Sequence, residues 1–451
     1  MSGLRERSIG IRDRKAPALN VQPVRSDEKL PSRVEVAIVG GGVIGVSTAL
    51  FLAQKGVSVA VLEKGAIAAE QSSRNWGWCR ASMRDPAEVP LVMESLRLWR
   101  DRTKLGGADT GFRTTGILFL NGRVAGDEET HQKWLDQVRE HGLDSRMLSG
   151  AEVRALLPGV RQTAPGALYT PSDGGAEPER AAPEIAEAAR RAGAVIVTSC
   201  AVRGVARQAG RVSGVVTERG EVACGAALIA AGAWSRLFCG PLDLDLPQLK
   251  LRGSVFRTAP LVGAPSVSAV GDGFGYRKRE DGGYTVSQSD ATIFDLVPDS
   301  FRLFAKFFPT YLREKGERPR LRVGRRFLEE WKTPRRWALD AVSPFEQVRV
   351  LDPEPSPEVI KEAIIKLTAA LPAFKDMRVV ATWAGMIDVT PDALPVISPI
   401  EAIPGLFIAT GFSGHGFGLG PGAGRLAAEL ISSDRPCVDP GPFRFSRFSA
   451  R

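Results

Sequence analysis

Histidine is nearly absent from this chain: His131, His141 and His415 are the three among 451 residues. Imidazoles so few and so scattered exclude a histidine-built metal centre. Cysteine is sparse and odd in number, and Cys79, Cys200, Cys224, Cys239 and Cys437 form no C-x-x-C pair. That pattern fits free thiols in a reducing compartment, hence a cytoplasmic protein without a zinc site. Long apolar runs are missing as well; the best, Ala226 to Trp234, has the length of a strand, so no membrane span is expected. The first thirty residues lack the apolar core of a secretory signal, and Glu6, Asp13, Asp27 and Glu28 argue against a mitochondrial leader. With little apolar patterning, residues 1–30 read as a flexible arm or one that docks. The net charge is +9 and the pI about 9.5, yet no basic run interleaves with aromatics. Nucleic acid is therefore not an expected partner, whereas a surface that attracts small anions is.

What the chain does have is length enough for two or three domains and an ordinary globular composition, 43% hydrophobic and 25% charged. Its clearest local signal lies near the N-terminus. Val34 to Val39 is a short, β-branched run of the kind that forms a buried parallel strand. Gly40, Gly42 and Gly45 follow as G-x-G-x-x-G, with Val43 and Ile44 opening a helix that Gly56 stops. Val57 to Leu62 makes a second strand, closed by Glu63. Gly40 allows the tight turn, Gly42 lets backbone amides approach a pyrophosphate, and Gly45 lets helix and strand pack closely. The helix N-terminus offers its positive dipole end to phosphates, and Glu63 can accept from ribose hydroxyls. An acid there favours NAD or FAD over NADP.

The polar, aromatic stretch Ala68–Pro86 reads as a long loop reaching toward the ligand. A helix with Pro86 in its first turn follows, then a strand at Gly116–Leu120 and a helix over Asp127–His141. Ser149 and Glu152 form a capping box, and Glu179–Ala192 is helical. Strands are expected at Val195–Val197, Val202–Arg207, Val212–Thr217 and Val222–Ala230, and from Leu249 to Thr258. Tyr276–Arg279 and Tyr284–Gln288 pair through the hairpin signal Asp281-Gly282-Gly283. Ser300–Lys315 and Glu358–Leu371 read as helices and Leu406–Ala409 as a last buried strand. The stretch after it, GFSGHGFGLGPGAG, is too glycine-rich for a packed element, so a final helix is expected only from Gly424 to Ile431.

Four stretches together resemble the FAD-dependent amine and D-amino-acid oxidase (DAO) family, which includes glycine and sarcosine oxidases, D-amino-acid dehydrogenases and iminodiacetate oxidases. They are the glycine motif with Glu63, the SSRNWGWCR loop, the AALIAAGAWS strand, and WAGMIDVTPDALPVIS with GFSGHGFGLGPGAG. The resemblance runs from Val34 to Ser432 and makes FAD the cofactor. It implies an α/β fold in which a discontinuous Rossmann-like FAD-binding domain (residues 31–110, 160–245 and 370–435) is interleaved with an α+β substrate domain. That second domain, residues 111–159 and 246–369, would be built on a mostly antiparallel sheet. The implied FAD contacts are Gly40, Gly42, Val43, Ile44, Gly45, Glu63 and Lys64, then Ser72, Ser73, Arg74, Asn75 and Trp76. Val202, Ala231, Gly232, Trp234, Gly385 and Met386 follow. Gly414, His415, Gly416, Phe417, Gly418 and Leu419 would donate to the flavin rim, where negative charge collects on reduction; His415 either adds to this or bonds within its loop.

Departures from the family narrow the expectations. Sarcosine oxidases tether flavin through a cysteine where this chain has Gly385, so FAD is expected to be non-covalent. Ile387 stands where glycine oxidases hold the substrate carboxylate with arginine, and Gly418 where sarcosine oxidases use lysine. Arg80 is then the first carboxylate candidate, followed by Arg277, Arg252 and Arg326, since a planar guanidinium binds a carboxylate in two places. Tyr276, Trp76 and Trp78 are candidate pocket walls. Thr285 falls near the lysine that sarcosine oxidases present to dioxygen, which leaves dioxygen and another acceptor both open. The implied reaction is oxidation of a C–N bond by hydride transfer to FAD N5, the imine then being hydrolysed. The expected substrate is a small anionic amine, with a secondary amine such as iminodiacetate, an N-alkylglycine or an opine favoured. A D-amino-acid dehydrogenase is the alternative, and an FAD-containing RNA module or an NAD-linked hydroxy-acid dehydrogenase stand further off.

Overall fold

The structure, a computed structural model, describes residues 19–122, 125–161, 166–313 and 319–448. Of the expected N-terminal arm, residues 1–18 lie outside these. Residues 19–30 dock on the fold: Gln22 donates its amide to the Glu179 carbonyl, and Asp27 both donates to the Ile196 carbonyl and accepts from the Ile196 amide.

Val36–Val39 and Val59–Leu62 are fully buried neighbours in a six-stranded sheet. The strand order is Val396–Pro399, Leu406–Thr410, Ala226–Ile229, Val36–Val39, Val59–Leu62, Val195–Val197. Every pair is parallel except the antiparallel edge formed by Val396–Pro399. The expected single strand Val222–Ala230 is two strands instead. Gly220–Ala223 closes a three-stranded antiparallel sheet and Ala226–Ile229 enters the six-stranded one. The break falls where the amides of Gly225 and Ala226 turn to the Glu35 carbonyl.

A second, ten-stranded and mostly antiparallel sheet contains Leu249–Thr258, Tyr284–Ser287, Phe274–Lys278 and Ile117–Leu120. Two strands assigned by sequence to the cofactor segments pair here: Gly166–Thr170 with Ile117–Leu120, and Val379–Val389 with Leu249–Thr258. The second pairing runs the length of Leu249–Thr258 and carries the Trp383–Val389 motif from the large sheet to the nucleotide sheet. Two helices also differ from expectation. The one after Pro86 starts at Val89, with Pro90 in its first turn, because Asp85–Glu88 closes a separate turn. Ser300–Lys315 is two helices, Pro298–Arg302 and Phe304–Arg313, and Lys315 lies outside the described residues.

The largest correction concerns the glycine-rich C-terminal motif. The closing helix begins at Gly416 and runs to Ile431, so half of GFSGHGFGLGPGAG is helical. Glycine inside a helix costs about 1 kcal/mol relative to alanine, and here close packing offsets that cost. A Cβ at Gly424 would stand 2.4 Å from the Ser47 Cβ, and one at Gly420 would stand 2.5 Å from a Val43 methyl. These two glycines, four residues apart, form one face of the helix and let it lie directly on the first helix, Val43–Gln54. On another face, the Ser95 hydroxyl donates to the Gly418 carbonyl (2.7 Å) and accepts from the Gly422 amide (3.1 Å). The Trp99 indole donates to the same carbonyl at 2.8 Å. The helix Val89–Arg100 is thus stitched to the closing helix by backbone contact.

Gly424→Val should therefore lower unfolding free energy by at least about 1–3 kcal/mol, the range for overpacking a dense interior. Gly324→Ala, at an extended position whose nearest neighbour to an added Cβ is an arginine side chain at 3.7 Å, should stay within about 0.5 kcal/mol of the parent. Denaturant unfolding of both variants checks the contrast.

Candidate active site

Where the nucleotide sheet meets the large sheet, a cavity of about 430 Å³ is lined by residues from both. At one end the first strand runs into Gly40, whose φ of +113° no L side chain adopts readily, and Gly42 caps the first helix. A Cβ at Gly40 would sit 2.4 Å from the Ala230 carbonyl, so the turn is pressed against the end of Ala226–Ile229. Glu63 accepts from the Gly41 amide through one oxygen and the Gly65 amide through the other, each at 2.7 Å. Burial raises its pKa, opposed by those amides and by Lys64. Each carboxylate oxygen keeps a further lone pair, and Glu63 lines the cavity. The Ser72 hydroxyl, on the short helix Gln71–Arg74, accepts from the Val43 amide at 2.9 Å. A turn that only glycine fills, a helix N-terminus and a half-buried acid at one cavity end suit the adenylate and pyrophosphate of FAD.

The other end belongs to the closing helix. Gly414, His415, Gly416 and Phe417 line the cavity, and the first turn of that helix carries amides without intrahelical partners. Gly385 fits the same cradle: a Cβ there would stand 3.0 Å from the Arg74 Cβ. Arg74 itself is committed elsewhere, donating to the Ala69 and Ala384 carbonyls and to Asp352. The cavity lining found among the described residues contains no cysteine. Cys79 is buried, and that burial raises the pKa of its thiol, as for an inert packing residue.

Charge gathers beside this second end. Arg80 and Arg84 both line the cavity. The Arg80 guanidinium lies 5.0 Å from the Phe119 ring centre and donates to the Ser82 carbonyl. Its backbone is held by Asp173, which accepts from the Ala81 amide (2.6 Å) and from the amide and hydroxyl of Ser82. Burial pushes the Asp173 carboxyl up to about 6 despite those donors. Arg84 is buried with one terminal nitrogen lacking a hydrogen bond, 4.0 Å from Glu88 through its Nε. Glu88 lies 3.2 Å from His415 Nδ1. Burial and the neighbouring Arg84 push His415 down to about 4, so it is neutral at neutral pH. His415 and Arg84 pull Glu88 below its ordinary value against the opposing effect of its burial, so it is ionised.

Most residues named from sequence line this one cavity, including Ile44, Lys64, Asn75, Trp76, Trp78, Val202, Ala231, Gly232, Trp234 and Met386. Others lie outside it. Gly45 packs on the first turn, where a Cβ would meet the Gly40 carbonyl at 2.1 Å. Ser73 bonds back to Glu70, the Gly418 carbonyl is taken by Ser95 and Trp99, and Leu419 is in the core. Tyr276 is 1% exposed, packed 4.9 Å from the Phe374 ring centre in the large sheet's own core. Arg277 points the other way, into an ion pair with Glu177 (2.9 Å) and a bond to the Trp76 carbonyl (2.8 Å). Arg252 is buried against the Glu354 carbonyl and Arg326 bonds to Glu330; neither lines the cavity. Thr285 is spent on Arg279, and Ser287 and Gln288 of that chain segment reach the cavity instead. Sequence reading missed Arg84, Phe119 and Phe345, and also Asp388, which accepts from Gln71, Gln248 and the Gly411 amide. The acid in IDVTPD was the available signal for Asp388.

Comparison with known proteins agrees with this geometry. Residues 35–430 match the family described as FAD dependent oxidoreductase (DAO). A glycine oxidase of Pseudomonas aeruginosa is 25% identical over 421 residues, 90% of this chain and 97% of that protein. The sarcosine oxidase subunit beta of an Arthrobacter species is 26% identical over 92% of this chain and 91% of that one. Among solved structures, the L-amino acid deaminase of Proteus myxofaciens superposes with a TM-score of 0.91 at 33% identity, covering 96% of this chain and 97% of that one.

The His415 environment gives a pH signature. Its pKa is about 4 in the fold and about 6.5 when unfolded, so the unfolded chain binds more protons between those values and stability rises with pH across the window. Asp173, with its raised pKa, has the opposite sign over an overlapping range, so the comparison must be with a variant. Between pH 5 and pH 7 the stability of the parent should gain about 2 kcal/mol relative to His415→Gln, read by denaturant unfolding. A pH-independent difference would contradict the assignment.

Proposed function

The chain belongs to the FAD dependent oxidoreductase family and is an FAD-dependent enzyme acting on C–N bonds, and from that premise we propose that its substrate is an α-amino acid with one carboxylate and an apolar side chain. The observation that carries this is the pair of guanidinium groups at the flavin end of the cavity. Arg80 and Arg84 line it with the acids Glu88 and Asp173 beside them, and a neutral His415 adds no charge. The planar fork of Arg80 suits one carboxylate. A dianion such as iminodiacetate, favoured by the family resemblance alone, would bring a second carboxylate into an end where the acids already match the cations, at a cost of several kcal/mol. The walls beside the arginines are Trp78, Phe119 and Val270, which suit an aliphatic or aromatic side chain. The 33% identity with a protein named L-amino acid deaminase supports a primary amine; the iminodiacetate oxidase is 18% identical and shares the fold. A secondary amine is the second reading, favoured by the relation to sarcosine oxidase subunit beta.

FAD, expected to be non-covalent because Gly385 stands where sarcosine oxidases tether flavin through a cysteine, would supply the two-electron acceptor for the substrate's α-hydride. Arg80 holds the carboxylate in the planar fork of its guanidinium, and Asp173 positions Arg80 by fixing the two residues after it. Trp78 and Phe119 exclude water and orient the α-carbon. Amides at the start of the closing helix, with its dipole, stabilise negative charge at the flavin rim. The amine, deprotonated on binding, becomes an imine that water hydrolyses to a 2-oxo acid and ammonium. The one lysine found in the cavity lining among the described residues, Lys64, is at the adenylate end, bonded to Glu70. By the family resemblance Thr285 falls near the lysine that sarcosine oxidases present to dioxygen, which supports an acceptor other than dioxygen.

A turnover screen of amino acids and N-substituted glycines, following both peroxide and an artificial dye, tests the reading. Apolar monocarboxylic amino acids should reduce the dye with little peroxide; iminodiacetate as the best substrate would contradict it. Arg80→Lys should raise KM for those substrates by about tenfold or more with a smaller change in kcat, because lysine lacks the fork.

A further inference from the structure

Beside Arg80 and Arg84, His415 offers the cavity a nitrogen that no described residue takes. Its imidazole turns Nδ1 to Glu88, 3.2 Å away, and no hydrogen bond among the described residues reaches Nε2. The side chain is 23% exposed and lines the cavity, so the nitrogen open to a ligand is Nε2. The surroundings hold the ring in this pose. Gly411, Ser413 and Gly414 take positive φ, and the His415 amide closes the turn on the Phe412 carbonyl at 2.7 Å. Glu88 is fully buried and caps the helix Val89–Arg100, where the helix dipole favours a negative charge.

Glu88 also decides what Nε2 can do. An ionised carboxylate only accepts, so the imidazole proton sits on Nδ1 and Nε2 keeps a bare lone pair. Burial, and Arg84 and Arg80 with it, resist a second proton on the ring. Such a nitrogen accepts an N–H and donates none. Oxidation of a C–N bond needs that distinction. The α-hydrogen departs as hydride only as the nitrogen lone pair forms the new C=N bond, and a donor at the nitrogen would occupy that pair. An acceptor leaves it free: the neutral amine gives one N–H to Nε2, loses hydride, and becomes a protonated imine that water converts to the 2-oxo acid and ammonium. Positive charge grows on the nitrogen during this step, so the same hydrogen bond tightens toward the transition state. We propose that His415 Nε2 binds and orients the substrate's α-amino group, with Glu88 as the positioning residue that fixes the tautomer. This deepens the substrate assignment and rests on it: Arg80 takes the carboxylate, His415 the nitrogen, and the two together present the α-hydrogen.

The test is anaerobic stopped-flow reduction of the FAD-loaded full chain by each enantiomer of leucine and phenylalanine, with 4-methylpentanoate and 3-phenylpropanoate as their amine-free counterparts. His415→Leu should lower the limiting rate of flavin reduction by about tenfold or more, while the amine-free acids, followed by their perturbation of the flavin absorbance, bind within about twofold of the parent. His415→Gln should recover most of the rate, because its amide can donate to Glu88 and turn its carbonyl oxygen to the cavity. An unchanged rate in His415→Leu, or an equal loss in the Leu and Gln variants, would overturn the proposal while leaving the substrate assignment standing. A parent whose flavin none of these amino acids reduces would overturn the substrate assignment, and this inference with it. With 15N-histidine the parent has three imidazoles to resolve. The His415 signal should report the proton on Nδ1, and Glu88→Gln should populate both tautomers. A parent His415 protonated on Nε2, or a Glu88→Gln spectrum unchanged from the parent, would also overturn the proposal.

Discussion

Two helices from opposite ends of the chain touch with almost no side chain between them, and the active cavity exists because they do. Gly420 and Gly424 of the closing helix leave room only for Val43 and Ser47 of the first helix. The first helix is aimed by the Gly40 turn, so its N-terminus is fixed relative to the nucleotide sheet. Contact at this seam therefore places a second N-terminus, that of Gly416–Ile431, at the far end of the same cavity. A larger side chain in the seam would part the two helices and with them the two positive dipole ends that face the dinucleotide. The intrinsic helix cost of several glycines, about 1 kcal/mol each, is the energetic trace of that requirement.

Around the substrate end, the same economy governs charge. The fold holds many arginines, but most are locked to acids: Arg277 to Glu177, Arg203 to Glu346, Arg236 to Asp299. The Arg277 pair does mechanical work, tying the large sheet to the Trp76 carbonyl and so setting one cavity wall. Arg80 and Arg84 both line the cavity, on a loop pinned through its backbone by Asp173, with Arg84 4.0 Å from Glu88. Glu88 and Asp173 set two acids beside the two cations, and a neutral His415 adds no charge.

Local chemistry was legible in the sequence. The Gly40 turn, Glu63 at the second strand's end, and the Ser149–Glu152 capping box each rest on residues a few positions apart, and the structure contains them all. The segment Phe274–Lys278 pairing with Tyr284–Ser287 across Asp281-Gly282-Gly283 is of the same kind. What sequence reading lost was long-range. The first half of the closing helix, before Gly424, reads as a loop because its glycine content suggests flexibility unless the opposing Val43 and Ser47 are known. Tyr276 and Arg277 alternate across a strand, and nothing nearby says that one meets Phe374 and the other Glu177, a hundred residues away. Arg84 and Glu88 are four residues apart, but what ties that pair to the site is His415, over three hundred residues further along the chain.

The central claim is that the Glu63 carboxylate and the two converging helix N-termini build a cleft for a whole dinucleotide and not for a flavin ring alone. Calorimetric titration of apoprotein with FAD and, separately, with FMN tests it most directly. FAD should bind at least about a hundredfold more tightly, the extra roughly 3 kcal/mol coming from the adenylate half that FMN lacks. Equal affinity for the two flavins would contradict the account.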